Sequence, residues 1–268
     1  MTTRVKPGQR VRLRDLDPAE RGGYDSREDP KAVADLARDL ERLCTLQETL
    51  MAEGQRGLLV VLQAMDAAGK DGVLRKVAGP LDSRGVSVFS FKAPAGEEAG
   101  HDYLWRVHQR CPRKGEVTFF NRSHYEDVLV VRVLDLVPRA RWSARYAHIS
   151  AFEQMLHDEG TQVLKIFLHI SKEEQKQRLQ ERLDVPEKNW KFDPRDLEMR
   201  ARWDAFQEAY EDAFERTSTE VAPWHIVPAD RKWARDLAVA RLLVETLEAM
   251  NPRYPKPNYD PKKMKIDP

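Results

Sequence analysis

Between Leu58 and Gly72 the chain reads LLVVLQAMDAAGKDG. The apolar residues at the start of this stretch predict a short strand that is buried on both faces. The small residues that follow, the Gly69-Lys70 pair and the helical stretch beyond them are typical of a Walker A loop, in which backbone N–H groups and a lysine hold phosphate oxygens. We therefore predict a phosphate-binding loop between a buried strand and a helix.

The loop departs from the usual Walker pattern at two positions. Ala64 stands where the first glycine is expected, and Asp71 replaces the Ser or Thr that usually binds Mg²⁺. Asp66 also lies inside the loop, where its carboxylate would repel phosphate unless a cation separated the two. Asp66, with Asp71 as a further candidate, is therefore interpreted as a metal ligand; the alternative is a chance Gly-Lys turn with solvated aspartates. The residues expected to contact phosphate are Ala67, Ala68, Gly69, Lys70, Asp71 and Gly72.

A second polar segment, NRSHYED, follows the predicted strand Val117 to Phe120. Functional groups of parallel α/β folds gather beyond the carboxyl ends of the strands. We predict that an arginine here binds phosphate oxygens and that the amide and carboxylates position a metal or the nucleophile. A helix start capped by Ser123, with Glu126 completing a capping box, is the alternative. The candidate residues are Asn121, Arg122, Glu126 and Asp127.

A basic helical stretch begins at Ser171, which can form a capping box with Glu174. Arg178 and Arg182 are one helical turn apart and share a face. Since this stretch follows a later core strand, residues 171–192 are interpreted as a lid that lays arginines over phosphates and excludes water. The alternative is a solvated helix face, which a mixture of Glu, Lys and Arg usually indicates.

Strands and helices alternate along the chain, which predicts a parallel sheet with helices on both faces. The expected divisions are an irregular arm (1–29), a phosphotransferase domain (30–250) and a Pro/Lys-rich tail (251–268). Besides the strand at Leu58, strands are expected at Val86 to Phe91, Val117 to Phe120, Val163 to Leu168 and His225 to Val227. Helices are expected at Pro30 to Glu53, Gly72 to Leu81, Glu97 to Gln109, Trp142 to Asp158, Leu197 to Glu215 and Trp233 to Met250.

Composition narrows the class of protein. The 268 residues are 41% hydrophobic and 33% charged, with a net charge of +1. That balance excludes a purely electrostatic binder of nucleic acid or membranes. Cys44 and Cys111 form no Cys-x-x-Cys pair, and no apolar run is long enough to span a bilayer. We predict a cytoplasmic protein without a signal peptide, without nucleic-acid or membrane partners.

Four motifs, taken together, resemble the family-2 polyphosphate kinases. They are AMDAAGKDG (64–72), DYLWRVH (102–108), FNRSHYED (120–127) and HISKEEQ (169–175), and the similarity covers roughly residues 30 to 250. The resemblance implies a three-layer α/β/α P-loop kinase fold, thymidylate-kinase-like, with a parallel central sheet and a helical lid. It implies reversible phosphoryl transfer between polyphosphate and AMP, ADP or ATP, dependent on Mg²⁺, with Mn²⁺ as the alternative metal. We also expect a homo-oligomer, to which the helix Pro30 to Glu53 could contribute.

The resemblance also implies roles for individual residues. Asp66 would bind metal, and Lys70 and Arg122 would hold phosphates. Two arginines would act from the lid. Commoner ADP-acting members carry Asp at the position of Asn121 and Asn at that of Glu126, so this version resembles the subgroup that also phosphorylates AMP. Asp127 then becomes the preferred second metal ligand. Arg178 and Arg182 are the lid arginines.

A polyphosphate donor has no base or ribose, so its site needs only a track of cations. The chain offers Arg75, Lys76, Arg122, Arg178, Arg182 and Lys191 for such a track. Phe91, Trp105 and Tyr125 could stack on adenine, but core packing is the preferred interpretation for each. Two other functions stay open, an ATP-dependent nucleoside monophosphate kinase and a non-catalytic phosphate sensor. Asp71 disfavours the ATP-dependent kinase, because such enzymes keep a Ser or Thr at this position. The paired acids disfavour the non-catalytic sensor.

Overall fold

The computed structural model describes residues 2–266, and in that part of the chain six strands form a single sheet. The spatial order of the strands is β1-β6-β5-β2-β4-β3. All neighbours are parallel except β1 and β6, which are antiparallel. The α/β class predicted from the alternating elements is therefore confirmed. The strands are β1 (Thr3–Arg4), β2 (Gly57–Ala64), β3 (Val86–Ser90), β4 (Val117–Asn121), β5 (Thr161–His169) and β6 (Trp224–Pro228).

α-Helices account for about half of the described residues outside this sheet. Short 3-10 turns and a π-type segment, Leu74–Ala78, link or extend them. No helix within residues 2–266 is long and apolar enough to cross a membrane. The α-helices are α1 (Pro30–Glu53), α2 (Lys70–Val73), α3 (Trp105–His108), α4 (Val130–Val133), α5 (Arg139–Asp158), α6 (Lys172–Asp184), α7 (Arg195–Ala201), α8 (Trp203–Thr217) and α9 (Lys232–Met250).

The central strand β2 sets the position of the phosphate loop. Every one of its residues is buried, as the apolar run predicts. It pairs with β4 and β5 in parallel, and Leu62 lies opposite both Asn121 and Ile166. Because parallel strands in register end at the same edge, the residues after β2, β4 and β5 converge there.

Helix α1 begins and ends where the sequence predicts. Asp29 caps its first turn by accepting a hydrogen bond from the Lys31 amide, and Gly54 ends it in the left-handed conformation with φ of 63°. The helix packs along α9, and Arg241 of α9 donates to the Asp39 carboxylate at 3.2 Å. The length and caps of α1 are therefore set by neighbouring residues in the sequence, whereas the helix that packs against it, α9, comes from the far end of the chain.

Three expectations about secondary structure are wrong in part. The arm contains β1, which is too short to show a pattern, and its Val5 and Leu13 are fully buried. The helix expected over 97–109 is a 3-10 turn followed by the short α3, because an Asp102 side chain bonds the Leu104 amide at 2.9 Å and holds a turn between them. The helix expected over 197–215 is divided at Arg202 into α7 and α8.

The two ends of the chain carry little regular structure. The tail forms a single 3-10 turn at Pro261–Lys263 within its described residues. Met1 of the predicted arm and residues 267–268 of the predicted tail lie outside the described residues. The division into an arm, a domain and a tail stays a prediction.

Candidate active site

The phosphate loop leaves β2 with two residues in the left-handed region. Ala67 has φ of 62° and Gly69 has φ of 105°. Such a conformation costs a residue other than glycine about 1–2 kcal/mol, so Ala67 holds strain that the surrounding contacts must maintain. Lys70 follows at the first residue of α2, and its Nζ donates to the Ala64 carbonyl at 3.2 Å. The lysine therefore bridges the two ends of its own loop.

Arg122 lies directly across from the loop. Its backbone is also left-handed, with φ of 60°, and its amide donates to the Leu62 carbonyl of β2 at 3.2 Å. The side chain donates from Nη2 to the Asp66 carboxylate at 2.9 Å while remaining 44% exposed. A strained residue that presents a half-exposed guanidinium is typical of a site that binds anions.

The second acidic segment reaches the same place through two further side chains. Asn121 donates from Nδ2 to the Asp71 carboxylate at 2.9 Å. Glu126 lies near Arg122 and Lys70, and burial raises the pKa of its carboxyl while those two cations and Gln63 oppose the rise. We call these residues the loop cluster: Asp66, Lys70, Asp71, Asn121, Arg122 and Glu126.

Charges within the loop cluster modify one another. Burial lowers the pKa of Lys70, and the nearby Arg122 lowers it further, whereas the Asp66 and Glu126 carboxylates raise it. Burial would also lower the pKa of Arg122, but Glu126 and Asp66 raise it more. The flanking acids therefore oppose the effect of burial on both Lys70 and Arg122, and an incoming phosphate meets side chains that are already in place.

Asp127 does not join the loop cluster. Its carboxylate accepts a hydrogen bond from Arg145 of α5 at 2.9 Å, and its carbonyl accepts another from the same guanidinium at 3.0 Å. The residue lies in the 3-10 turn His124–Asp127, where consecutive side chains point in different directions. Glu126 therefore faces the loop and Asp127 faces α5. The predicted metal role of Asp127 stays a prediction, and its carboxylate is held by Arg145 outside the loop cluster.

The lid arginines also lie differently from the expectation. Arg178 is 7% exposed, and every N–H of its guanidinium has an acceptor. The acceptors are the Glu174 carboxylate and the carbonyls of Ala67, Ala68, Ala229 and Asp230, at 2.8 to 3.1 Å. Arg178 thus lies behind the loop, and a contact with phosphate would require exchange of these bonds.

Arg182 lies further along the same helix, α6, and is engaged in a different way. Its Nη1 donates to the Asp196 carboxylate of α7 at 2.9 Å and to the Lys191 carbonyl at 3.1 Å. Burial, reinforced by Asp66, raises the pKa of Asp196 to about 6, although Arg182 opposes the rise. The pair ties α6 to α7, and the predicted role of Arg182 toward phosphate stays a prediction.

Comparison with known proteins identifies the family of this chain. A family profile described as Polyphosphate kinase 2 (PPK2) matches residues 25–255. The chain belongs to this polyphosphate kinase 2 family. The AMP/ADP-polyphosphate phosphotransferase of Meiothermus ruber is 54% identical, over 98% of both chains. The ADP-polyphosphate phosphotransferase of Rhodopseudomonas palustris is 42% identical, over 94% of this chain and 91% of its own.

A solved structure shows the same architecture. The crystal structure of polyphosphate kinase 2 from Arthrobacter aurescens aligns with a TM-score of 0.89 and 46% identity, over 93% of this chain and 89% of that chain. The P-loop kinase fold expected from the four motifs is therefore confirmed. Of the predicted site residues, the structure brings Asp66, Lys70, Asp71, Asn121, Arg122 and Glu126 together.

The aromatic residues of this family member mostly pack in the core. Tyr125 is fully buried against Trp224, with ring centroids 4.6 Å apart, and Phe91 packs edge-on against Phe120 at 4.8 Å. Trp105 is half-buried and stacks on His101 at 4.0 Å. Core packing is therefore the better interpretation for Tyr125 and Phe91, as expected.

Two residues that contact the loop were missed by sequence reasoning. Gln175 of α6 donates to the Asp66 carbonyl at 3.0 Å, and Arg235 of α9 donates to the Ala68 carbonyl at 3.2 Å. Gln175 is the last residue of the HISKEEQ motif, and its place in that motif is a signal from which it could have been selected. Arg235 lies inside a helix with no motif, so nothing in the local pattern indicates that it reaches the loop.

Proposed function

We propose that the loop cluster binds the phosphates of polyphosphate and of AMP or ADP and transfers a phosphoryl group between them. As a member of its family, the chain is a polyphosphate–nucleotide phosphotransferase. The observation that carries the site assignment is the pairing of Arg122 with Asp66 at 2.9 Å, directly across from Lys70. The M. ruber relative, named for both AMP and ADP, supports the choice of acceptors.

The reaction needs little covalent participation from the protein. An oxygen of the nucleotide's terminal phosphate attacks the terminal phosphorus of polyphosphate, and the bridging P–O bond breaks to release a chain shorter by one phosphate. Because that attacking oxygen is largely ionised at neutral pH, no general base is required. Lys70 and Arg122 would stabilise charge on the transferring group, which is the main source of catalysis in such reactions.

The donor set of the loop cluster fits Mg²⁺. Its acidic members offer hard carboxylate oxygens, and Mg²⁺ is usually held by one or two carboxylates together with substrate phosphates. No group of three His, Cys, Asp or Glu side chains within residues 2–266 is arranged to hold a metal alone, so phosphate would supply the remaining ligands. Asp66 and Glu126 would hold the ion, with Asp71 beside them. Mg²⁺ would neutralise charge on the phosphates.

The test of the activity uses the whole chain with Mg²⁺, polyphosphate and AMP as sole acceptor, and separates the nucleotides over time. ADP should form first and ATP after it. The absence of any product without added ATP would instead indicate an ATP-dependent nucleoside monophosphate kinase.

The test of the site uses Lys70→Ala, which should lower kcat/KM by about 100-fold or more because it removes one electrostatic stabiliser. Lys114→Ala is the matched control, since this lysine is exposed and lies before β4, at the opposite edge of the sheet. Its kcat/KM should match the parent. A fully active Lys70→Ala variant would exclude the loop from the mechanism.

We also propose a cytoplasmic location and a homo-oligomeric state. Both Cys44 and Cys111 are free thiols, which supports a reducing compartment. Burial raises the pKa of each thiol, so neither is an activated nucleophile. Size-exclusion chromatography with light scattering measures the oligomeric state directly, and a monomer would contradict the proposal.

A further inference from the structure

Arg235 is one of the most deeply buried charges in the molecule. It lies in the first turn of α9 and is 3% exposed. Its Nε and Nη2 donate to the Asp236 carboxylate at 2.9 and 2.7 Å, and its Nη1 donates to the Ala68 carbonyl of the phosphate loop at 3.2 Å. The guanidinium is therefore held at both ends and has little freedom to move.

Two glycines of the phosphate loop lie against this guanidinium. A Cβ added at Gly69 would be 1.9 Å from Arg235 Nη1, and one added at Gly72 would be 2.8 Å from Nη2. Gly69 needs its left-handed backbone in any case. Gly72 lies within α2 with an ordinary φ, where alanine would favour the helix by about 1 kcal/mol. The contact with Arg235 is therefore the structural reason for a glycine at position 72.

The bond to Ala68 has a consequence on the other side of the loop. In a trans peptide the C=O and the following N–H point in opposite directions. Arg178 and Arg235 both donate to the Ala68 carbonyl, at 3.0 and 3.2 Å, so that this oxygen is held away from the site. The Gly69 amide is then turned toward the phosphate side.

We propose that Arg235 is a positioning residue for phosphate binding: through the Ala68 carbonyl and the space left by Gly69 and Gly72, it orients the loop amides toward the donor phosphate. This inference rests on the proposed function of the loop. Arg235 does not touch the substrate. It acts through the backbone of residues 68–72.

The first test replaces Arg235 with methionine, which keeps most of the stem but removes every N–H donor. Arg235→Met should lower kcat/KM for polyphosphate by about 10- to 100-fold, with a raised KM, because small misplacements of binding groups cost that much. Arg241→Met is the matched control on the same helix. Arg241 pairs with Asp39 at 3.2 Å and Asp35 at 3.5 Å, away from the loop, so this variant should lose thermal stability but keep kcat/KM within about twofold of the parent.

The second test uses steric coupling, and its single variant Gly72→Ala does not require Arg235→Met to fold. Gly72→Ala should lower kcat/KM by about tenfold although alanine is the better helix former, because its Cβ would displace the guanidinium. Adding Gly72→Ala to Arg235→Met should cause little further loss. If the two losses instead multiply, or if Gly72→Ala is fully active, Arg235 does not position the loop.

The experiments distinguish the proposed function of the loop from the proposed role of Arg235. Full activity in Lys70→Ala would remove the loop from catalysis and contradict the proposed function. Impaired Lys70→Ala together with parental kcat/KM in Arg235→Met would contradict only the role of Arg235. Equal losses of kcat/KM in Arg235→Met and Arg241→Met would show that both act through stability alone.

Discussion

Residues 121–127 contribute side chains to two clusters of charged and polar groups, which differ in burial and in hydrogen bonding. On one side Asn121, Arg122 and Glu126 enter the loop cluster, which remains open to solvent in part. On the other side His124 and Tyr125 enter what we call the core cluster, which consists of His124, Tyr125, Glu153, Lys165 and Thr217, all fully buried.

The core cluster is closed around Lys165, although the buried Nδ1 of His124 has no hydrogen-bond partner among the described residues. Lys165 donates to the Glu153 carboxylate at 2.6 Å, to the Tyr125 hydroxyl at 2.9 Å and to the Thr217 carbonyl at 2.6 Å. Those bonds use every donor of an ammonium group. Tyr125 in turn donates to Glu153 at 2.8 Å. Burial lowers the pKa of Lys165, and the carboxylate of Glu153 opposes that effect.

The loop cluster lacks this closure. Within the described residues, Lys70 Nζ has one hydrogen bond, to the Ala64 carbonyl. Its other donors remain for an incoming anion. The clusters therefore differ in whether the hydrogen-bond donors of their lysine all have acceptors in the protein. In the core cluster they do, and the cluster holds the turn in place; in the loop cluster they do not, and the free donors can bind phosphate. The predictions below test that difference.

The largest effect is expected in the core cluster. Lys165→Met leaves Glu153 buried without its cation, so unfolding free energy should fall by about 3–5 kcal/mol. Lys165→Met combined with Glu153→Gln should recover part of that loss, since no unpaired charge remains. Urea denaturation measures both. The folded fraction of Lys165→Met should keep its KM for polyphosphate, and a raised KM would place the core cluster in the site.

A smaller effect should separate Asp66, the proposed metal ligand in the loop, from Asp127, which faces α5. Asp66→Asn should raise the Mg²⁺ concentration for half-maximal activity by about tenfold, because one ligand is lost. Asp127→Asn should leave that concentration unchanged and lower stability instead, since Asp127 pairs with Arg145. Activity should vanish with a chelator and return with Mg²⁺ or Mn²⁺. The opposite pattern would restore Asp127 as the metal ligand.

The smallest effect concerns the choice of acceptor within the loop cluster. Asn121→Asp combined with Glu126→Asn keeps the total charge but moves it from position 126 to position 121, next to Asp71. The bond from Asn121 to Asp71 would become a contact between two carboxylates. We expect kcat/KM for AMP to fall several-fold more than that for ADP. Comparison of both acceptors in both proteins measures the difference as a change in barrier, and equal losses would contradict the assignment.

Much of the fold was predictable because its signals are local. The apolar run predicts β2, the Gly-Lys pair predicts the loop, and the helical spacing from Pro30 to Glu53 predicts α1. The presence of Asp66, Lys70, Arg122 and Glu126 in the site was predictable too, since residues after neighbouring parallel strands meet at one edge. The helix expected over 97–109 failed where the Asp102 side chain accepts a hydrogen bond from the Leu104 amide.

Contacts between distant parts of the chain decided the rest. The direction in which Glu126 and Asp127 point depends on α5, which supplies Arg145, and no local pattern distinguishes two adjacent acids. The sequence around Arg178 is typical of a lid or of a solvated helix face. In the structure its guanidinium is instead buried against the loop carbonyls of Ala67 and Ala68. Arg235 reaches the same carbonyl from the last helix. Composition and spacing determine which elements form and which chemistry is present; packing alone determines which charges are satisfied and which stay open to phosphate, because hydrogen-bond partners are chosen in space and not along the chain.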